Sequence, residues 1–165
     1  MRLDVKSVLL AIVLLLVAVL TTGCPKQGPP TTEPPKAGGA VAKQPPAEAK
    51  YKVVISTRPG QWNLDERVRW YKETIEKDYP EIGIVQVIDD ETKYEVGQKQ
   101  SSAMLAKFPD LAGFAGVNAA SGPGIAAAVK AAGQSGKIVV VAMDGDTPIL
   151  NLIKEGTINA SVAQR

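Results

Sequence analysis

The stretch VVVAMDGDTP, residues 139–148, joins an uninterrupted apolar run to an acidic segment that ends in a typical helix start. The run carries no polar side chain, as expected of a strand in a parallel sheet that helices cover on both faces. Thr147 and Pro148 then favour a helix, because proline suits the first helical position, where its missing N–H costs nothing. The stretch therefore predicts a strand–helix unit with Asp144 and Asp146 at the carboxyl end of a buried strand.

The same alternation of apolar runs and helix-like segments extends over residues 51–165. Each apolar run is short and nearly continuous, and helical patterns lie between the runs. Alternating strands and helices with short connections indicate an α/β fold: a three-layer, doubly wound, Rossmann-like parallel sheet of five strands. The predicted strands are Lys52–Ser56, Ile82–Ile88, Leu111–Val117, Ile138–Met143 and Ile158–Ala163.

The predicted helices are marked by caps and apolar stripes. Asn63 with Glu66 three residues later forms a capping-box pattern, which places the start of the first helix at Asn63. Gly133 and Gly156 fall just past the ends of the third and fourth helices, where glycine is common. The first stripe is Leu64, Val68, Tyr71 and Ile75, the second is Gly97, Ser101, Met104, Leu105 and Phe108, and the third helix covers Ile125–Ala132.

The composition excludes several kinds of chemistry. The chain has 165 residues with no histidine and one cysteine, so it holds no Ser-His-Asp triad, Cys-His pair, histidine metal site or internal disulfide. The formal net charge is +2, and no dense basic patch with interleaved aromatic residues is present, so no nucleic-acid partner is expected. We predict no catalytic residue, no metal site and no cofactor, and hence a protein that is not an enzyme.

The first 50 residues predict export and tethering. Arg2 and Lys6 precede Val8–Leu20, an apolar run of 13 residues. This run is shorter than the roughly 20 residues that span a bilayer, and it fits a signal peptide over residues 1–23. Residues 24–50 hold seven of the chain's twelve prolines and no aromatic residue, which predicts an extended linker.

The segment Thr21-Thr22-Gly23-Cys24 resembles a bacterial lipobox. The resemblance implies cleavage before Cys24 and lipidation of this cysteine. The product would be a lipoprotein of the cell envelope, with a lipid anchor in a bacterial membrane and its domain on the periplasmic or extracellular face. The alternative is an ordinary secretory signal peptide followed by a cysteine of no special role.

Polar residues follow each predicted strand. In an open parallel sheet, ligands bind in the crevice beyond the carboxyl ends of the strands. The set is mixed in charge and includes a tryptophan, so it suits a neutral, polyhydroxylated ligand. A phosphate site would need a lysine or arginine beside a glycine-rich helix start. In chain order the residues are Arg58–Asn63, Asp89, Asp90, Asn118, Asp144 and Gln164.

Two motifs at this edge suggest enzymes instead. The order DGDT at residues 144–147 differs from the Asp-x-Asp-Gly-Thr of haloacid-dehalogenase-like phosphatases, and the segment after it lacks the acidic pair that those enzymes need. GPG at residues 122–124 follows a predicted strand and opens a helix, with Asp144 about 20 residues on, as in dinucleotide-binding domains. A nucleotide-binding, Rossmann-like enzyme domain that uses Gly122, Gly124 and Asp144 therefore stays open as an alternative.

A resemblance to a known family covers residues 51–165. The segments VISTRPGQWNLDERVRWYKE, FPDLAGFAGVNAASGPGIAAAVKAAG, VVVAMDGDTP and IKEGTINASVAQ are similar in order and spacing to the carboxy-terminal lobe of the type 1, sugar-binding periplasmic binding proteins, the ribose-binding-protein group. The resemblance implies the strand order 2-1-3-4-5 and a monosaccharide ligand, a pentose or a hexose. It implies sugar contacts from Arg67, Asn118, Asp144 and Gln164, and Trp62 is a further candidate that could stack on a sugar ring.

Each of these residues also has an alternative to ligand binding, and for Gln164, beside the last residue, the alternative is disorder. Arg67 could pair with surface acids, Asn118 could serve a turn, and Asp144 could stabilise a helix start. Trp62 could pack on its own loop. Trp70 stands where the family usually has glycine, which affects the packing expected near Arg67.

The resemblance further implies a lipid-anchored solute-binding protein of a sugar ABC transport or sensing system, with an ABC permease as partner. Because it covers the carboxy-terminal lobe only, we expect a truncated or split single lobe. The amino-terminal lobe would then be encoded separately or lost, or this lobe would be reused for another task. A structural lipoprotein without a small ligand is the remaining alternative.

Overall fold

The computed structural model describes residues 49–164, which form an α/β domain around one five-stranded sheet. The strand order is β2-β1-β3-β4-β5 and every neighbouring pair is parallel, so the predicted fold class and strand order are confirmed. The predicted signal peptide and Cys24 lie outside the described residues. Within residues 49–164, no helix is both long and apolar enough to cross a bilayer. The elements are β1 Tyr51–Thr57, α1 Trp62–Asp78, β2 Ile82–Asp89, α2 Tyr94–Lys107, β3 Leu111–Gly116, α3 Ser121–Ala131, β4 Val139–Met143, α4 Thr147–Lys154 and β5 Ala160–Val162.

The helices are divided between the two faces of the sheet. With right-handed crossovers, the step from β1 to β2 places α1 on one face, and the later steps, in the opposite direction, place α2, α3 and α4 on the other. The main core cluster joins Val54 and Phe114 of the sheet to Ile125 of α3 and Ile149 of α4, all of them at most 2% exposed. Since side chains alternate along a strand, Ser56 shares the face of Val54.

Helix α1 begins one residue before Asn63, and the predicted capping box is wrong. No side-chain capping bond is made at this helix start. Instead Gly60, with a φ of +87°, directs its N–H to the carboxylate of Asp65 at 3.1 and 3.2 Å. Glu66 forms an ion pair with Arg69, with 2.6 Å between Oε2 and Nη2. The apolar stripe is confirmed, since the buried residues of α1 are Leu64, Val68, Tyr71 and Ile75.

The last strand is shorter than predicted. It spans Ala160–Val162 instead of Ile158–Ala163. At Asn159, a side-chain hydrogen bond to β4 replaces one of the backbone bonds of a regular strand pair. Asn159 Oδ1 accepts from the Val140 N–H at 2.8 Å, while the Asn159 N–H donates to the Val140 oxygen at 2.9 Å. The predicted start of α4 at Thr147 is confirmed.

Helix α3 packs closely through two glycines. A Cβ on Gly124 would lie 2.8 Å from the Tyr94 carbonyl oxygen of α2, and one on Gly122 would lie 2.6 Å from Ala142 Cβ of β4. Neither distance is compatible with a side chain. A Cβ on Gly97 of α2, in contrast, would meet its nearest neighbour at 3.5 Å, an ordinary contact. The glycines of α3 therefore allow this helix to pack closely against both β4 and α2.

Candidate functional site at the carboxyl edge

The ends of β3 and β4 place two of the predicted ligand residues side by side. Ala115 of β3 pairs with Val141 of β4, and Asn118 and Asp144 each follow three residues later. The two residues therefore stand level with each other at one edge of the sheet, where neighbouring strands are about 4.8 Å apart. This is the edge at which open parallel sheets bind ligands.

Asp144 has an unusual backbone conformation directly after β4. Its φ is +75°, a left-handed value that is uncommon outside glycine and is tolerated better by Asp and Asn than by most residues. Its N–H donates to the Val162 oxygen at 2.8 Å, and its carbonyl oxygen accepts from Ser161 Oγ at 2.6 Å. Its Oδ1 accepts from Gln164 Nε2 at 2.9 Å. Within residues 49–164 no bond to Oδ2 is present, so the carboxylate keeps acceptor capacity for a ligand.

Arg67 reaches the same edge from α1. Its Nη1 donates to the carbonyl oxygen of Val117 at 2.6 Å, which holds the half-buried side chain beside Asn118. A guanidinium has five N–H donors in a rigid fork, so this bond leaves other donors available. Among the ion pairs of residues 49–164, none involves Arg67. Pairing with surface acids, the alternative role of Arg67, is therefore not seen in this part of the chain.

Asn118 is almost fully buried, with 7% of its surface exposed. Its Oδ1 accepts from the N–H groups of Ala120 and Ser121 at 2.9 and 3.0 Å, so the turn role is present. Its Nδ2 lies 3.0 and 3.1 Å from the two carboxylate oxygens of Asp90. One N–H directed between those oxygens accounts for both distances. The second N–H on Nδ2 is then the bonding capacity that the side chain has left for a ligand.

Asp90 is one of the polar residues that follow the predicted strands, but it was not among the predicted sugar contacts, although four donors converge on it. It is fully buried and accepts from Ser56 Oγ at 2.7 Å, from Ser121 Oγ, from Asn118 Nδ2 and from the Thr92 N–H at 2.8 Å. A signal was present in β1. Ser56 places a hydroxyl in a run of buried residues, and a buried hydroxyl needs a partner.

The predicted site residues meet as two pairs. Arg67 and Asn118 lie together at the end of β3, and Asp144 and Gln164 are bonded to each other beyond β4 and β5. Trp62 is 71% exposed at the start of α1, so it does not pack on its own loop among the described residues. No hydrogen bond within residues 49–164 connects it to either pair.

The glycines of the alternative nucleotide motif have a packing role. Gly122 and Gly124 are required by the contacts of α3 with β4 and α2, which account for both residues without a phosphate group. Residues 49–164 also contain no group of three or more His, Cys, Asp or Glu side chains placed to hold a metal ion. The remaining donors of Arg67 and Asn118 and the free oxygen of Asp144 can form hydrogen bonds to a polar ligand.

Tyr71 lies one turn after Arg67 on α1, and its buried hydroxyl has no hydrogen-bond partner among the described residues. Burial raises the pKa of Tyr71 from 10.0 to about 12, and the charge of Arg67 partly opposes this effect. The folded protein thus keeps a proton that the unfolded chain loses between about pH 10 and pH 12. The contribution of Tyr71 to stability is therefore complete below about pH 10 and is lost as the pH rises through that window.

We expect Tyr71→Phe to raise the free energy of unfolding by about 1 kcal/mol at neutral pH, because it removes an unbonded hydroxyl from the interior. At about pH 11 this advantage should grow by roughly 1.4 kcal/mol, since the variant has no phenol to ionise. Urea unfolding of both proteins at the two pH values measures the difference. Tyr79→Phe, at a less buried tyrosine, is the control. An advantage of Tyr71→Phe that stays constant with pH would contradict the expectation.

Sequence comparison identifies the family. The periplasmic binding protein domain matches residues 36–165, and the chain therefore belongs to the periplasmic binding proteins. This agrees with the parallel five-stranded domain of the structure.

Several relatives bind sugars. The D-ribose/D-allose-binding protein of Pseudomonas aeruginosa is 30% identical over 102 residues, which cover 62% of this chain and 31% of the relative. The sugar-binding protein of a sugar ABC transporter from Bacillus halodurans has a TM-score of 0.68 and 31% identity, over 70% of this chain and 40% of its own. An ABC transporter solute-binding protein from Agrobacterium vitis, bound with α-D-tagatopyranose, has a TM-score of 0.63 and 35% identity, over 67% of this chain and 37% of its own. The chain thus spans between 31% and 40% of the length of these relatives.

Proposed function

We propose that residues 51–165 form one lobe of a sugar-binding protein, which binds a monosaccharide, a pentose or a hexose, and catalyses no reaction. The fold, the family and the sugar ligands of the relatives support this proposal. The proposed ligand residues are Arg67, Asn118, Asp144, Gln164 and Trp62.

The observation that carries the proposal is that Asn118 and Asp144 occupy equivalent positions at the ends of the neighbouring strands β3 and β4, with Arg67 beside Asn118. Arg67 and the remaining N–H of Asn118 can only donate, whereas the carboxylate of Asp144 can only accept. A sugar hydroxyl does both, so neighbouring hydroxyls satisfy the two sets at once. Hydrogen bonds with a charged partner are about twice as strong as neutral ones. Arg67 and Asp144 would therefore contribute most of the polar part of the affinity.

The chain's two tryptophans allow a direct test. In a Trp70→Phe background Trp62 is the remaining tryptophan, and its exposed ring should respond when a sugar stacks on it. We expect a saturable change of fluorescence with D-ribose or another pentose or hexose, no change with NAD, and thermal stabilisation by the same sugar. Trp62→Phe in the wild-type background should lose the response and keep the stabilisation in weakened form. If no pentose or hexose changes either signal, the proposal is wrong.

The affinity of residues 51–165 for the sugar should be low, because they contact it from one side. A neutral polar contact exchanged with water nets about 1 kcal/mol and one with a charged partner about 1.5–3 kcal/mol, and the four contacts together must offset at least about 4 kcal/mol of lost translational and rotational freedom. We therefore expect a dissociation constant of about millimolar or weaker. Micromolar binding by a monomer would contradict this estimate. Micromolar binding by a dimer would show that a second copy encloses the ligand.

The match to this chain covers about two-fifths of the length of the solved relative from Bacillus halodurans. We therefore propose that the other wall of the sugar site comes from polypeptide outside residues 51–165, such as a separately encoded amino-terminal lobe. A sugar ABC permease is the proposed partner of the assembled protein, on the periplasmic or extracellular side of the membrane. The relatives from Bacillus halodurans and Agrobacterium vitis are solute-binding proteins of ABC transporters, which supports this part of the proposal.

We also propose that residues 1–23 direct export, that Cys24 carries the lipid anchor and that residues 24–50 tether the domain to the membrane. The support is the apolar run that ends in Thr-Thr-Gly-Cys, followed by a proline-rich stretch. Labelled palmitate fed to expressing cells should mark the wild-type protein, and Cys24→Ala should abolish the label. A wild-type chain that stays unlabelled and does not sediment with membranes would overturn the lipoprotein assignment.

A further inference from the structure

The ends of three neighbouring strands meet at the buried carboxylate of Asp90. Strands β2, β1 and β3 are adjacent in the sheet. Asp90 directly follows β2, Ser56 lies near the end of β1, and Asn118 follows β3. No ion pair to Asp90 is present within residues 49–164. Burial of a carboxylate is unfavourable unless hydrogen bonds replace its hydration, so its four donors are what make this position tolerable.

The carboxylate determines the orientation of the Asn118 amide. A carboxylate only accepts hydrogen bonds, so the atom of Asn118 that faces Asp90 must be Nδ2. On the other side of the amide, the N–H groups of Ala120 and Ser121 require an acceptor, which must be Oδ1. The two requirements agree, so the amide has a single orientation.

We propose that Asp90 is a positioning residue, which locks Asn118 so that its side chain offers one N–H donor and no acceptor to the sugar beside Asp144. The inference rests on the proposed function, since it concerns the same site. With Arg67 donating on the same side, the site has a fixed polarity. Hydroxyl oxygens of the ligand face the end of β3, and hydroxyl hydrogens face Asp144 at the end of β4. A ligand group that only donates, such as the ammonium of an amino sugar, would therefore be rejected opposite Asn118.

The orientation can be measured without any sugar. The chain has four asparagines, Asn63, Asn118, Asn151 and Asn159, so selective ¹⁵N-asparagine labelling of the full chain in detergent gives a simple side-chain NMR spectrum. We expect one N–H of Asn118 to exchange with water at least about tenfold more slowly than the other, because it alone is bonded to the carboxylate. In Asp90→Ala this protection should disappear, and in Asp90→Asn, which keeps one acceptor oxygen in place of two, it should be reduced. Equal, fast exchange of both hydrogens in the wild type would overturn the proposal, whether or not the variants fold.

The effect on the ligand is measured by titration with D-ribose and with D-allose. For a folded Asp90→Asn, we expect the affinity to fall about tenfold, the loss of one well-placed hydrogen bond. Val129→Ala, in the core of α3, is a control that lowers stability without touching the carboxyl edge, and it should keep the wild-type affinity. Unchanged affinity in Asp90→Asn, or an equal loss in Val129→Ala, would overturn the positioning role. A wild type that binds no sugar would contradict the proposed function and with it the ligand role of Asn118. The exchange rates would still decide whether Asp90 orients the amide.

Discussion

Asp144→Gly is expected to lower the affinity for monosaccharides by about 100-fold and to leave the fold at least as stable as the wild type. A hydrogen bond to a charged group contributes about 1.5–3 kcal/mol, so a carboxylate that accepts two hydroxyls contributes about 3 kcal/mol or more. The backbone of Asp144, with a φ of +75°, is strained for a residue with a side chain. Glycine removes roughly 1–2 kcal/mol of that strain and gives back about 0.5–1 kcal/mol through the entropy of the unfolded chain. NMR titration and urea unfolding measure the two effects separately.

Asp146→Ala is the matched control for Asp144→Gly, and the opposite pattern is expected. Asp146 is exposed and directly precedes α4, so its loss should cost about 0.3–1 kcal/mol of stability through the helix dipole and leave sugar affinity unchanged. Asp144→Asn, which keeps the left-handed preference but loses the charge, should weaken binding by about tenfold. If Asp144→Gly instead keeps its affinity and loses stability, Asp144 is a helix-start residue and not a ligand.

Gly124→Ala is expected to lower the free energy of unfolding by about 2–3 kcal/mol. The new Cβ would lie 2.8 Å from the carbonyl oxygen of Tyr94. That oxygen belongs to the backbone of α2, so the two helices must separate. This penalty outweighs the gain of about 1 kcal/mol that alanine usually brings to the interior of a helix. Urea unfolding, with the slope checked for an unchanged unfolded state, gives the difference.

Gly97→Ala tests the same interface from the other helix. Its Cβ would meet nothing closer than 3.5 Å, so helix propensity should dominate. The variant should be as stable as the wild type or more stable by up to about 1 kcal/mol. Equal destabilisation by both substitutions would show that the close contact at Gly124 is not what limits the packing of α2 and α3.

Features that depend on local periodicity could be predicted from the sequence. The apolar runs and the stripe of Leu64, Val68, Tyr71 and Ile75 followed from the burial of one face of each element. The start of the first helix could not be predicted in this way, because two different capping arrangements are possible within a few residues of Asn63. Which of them forms depends on the loop geometry, and Gly60 at a φ of +87° brings its N–H to Asp65 instead.

The candidate site was also predictable only in part, because some of its contacts join residues that are far apart in the sequence. Asn118, Asp144 and Gln164 each follow a strand, so their position in the sequence places them at the carboxyl edge. Asp90 is joined to its partners over long distances in the sequence, since Ser56 and Asn118 lie 34 and 28 residues away. No local pattern reports such a contact. The strand order brings these residues together, and only the structure shows that they share one carboxylate.

The most direct test of sugar binding at the strand ends is an NMR titration of the chain with D-ribose, D-xylose, D-galactose and D-glucose. Binding at this site predicts saturable shifts at Arg67, Asn118, Asp144, Gln164 and Trp62 for at least one sugar, with a dissociation constant of about millimolar or weaker. The amides at the carboxy-terminal end of α2, next to the start of β3 at the opposite edge of the sheet, should not move. Shifts that avoid these five residues, or no saturable shift with any of the four sugars, would contradict it.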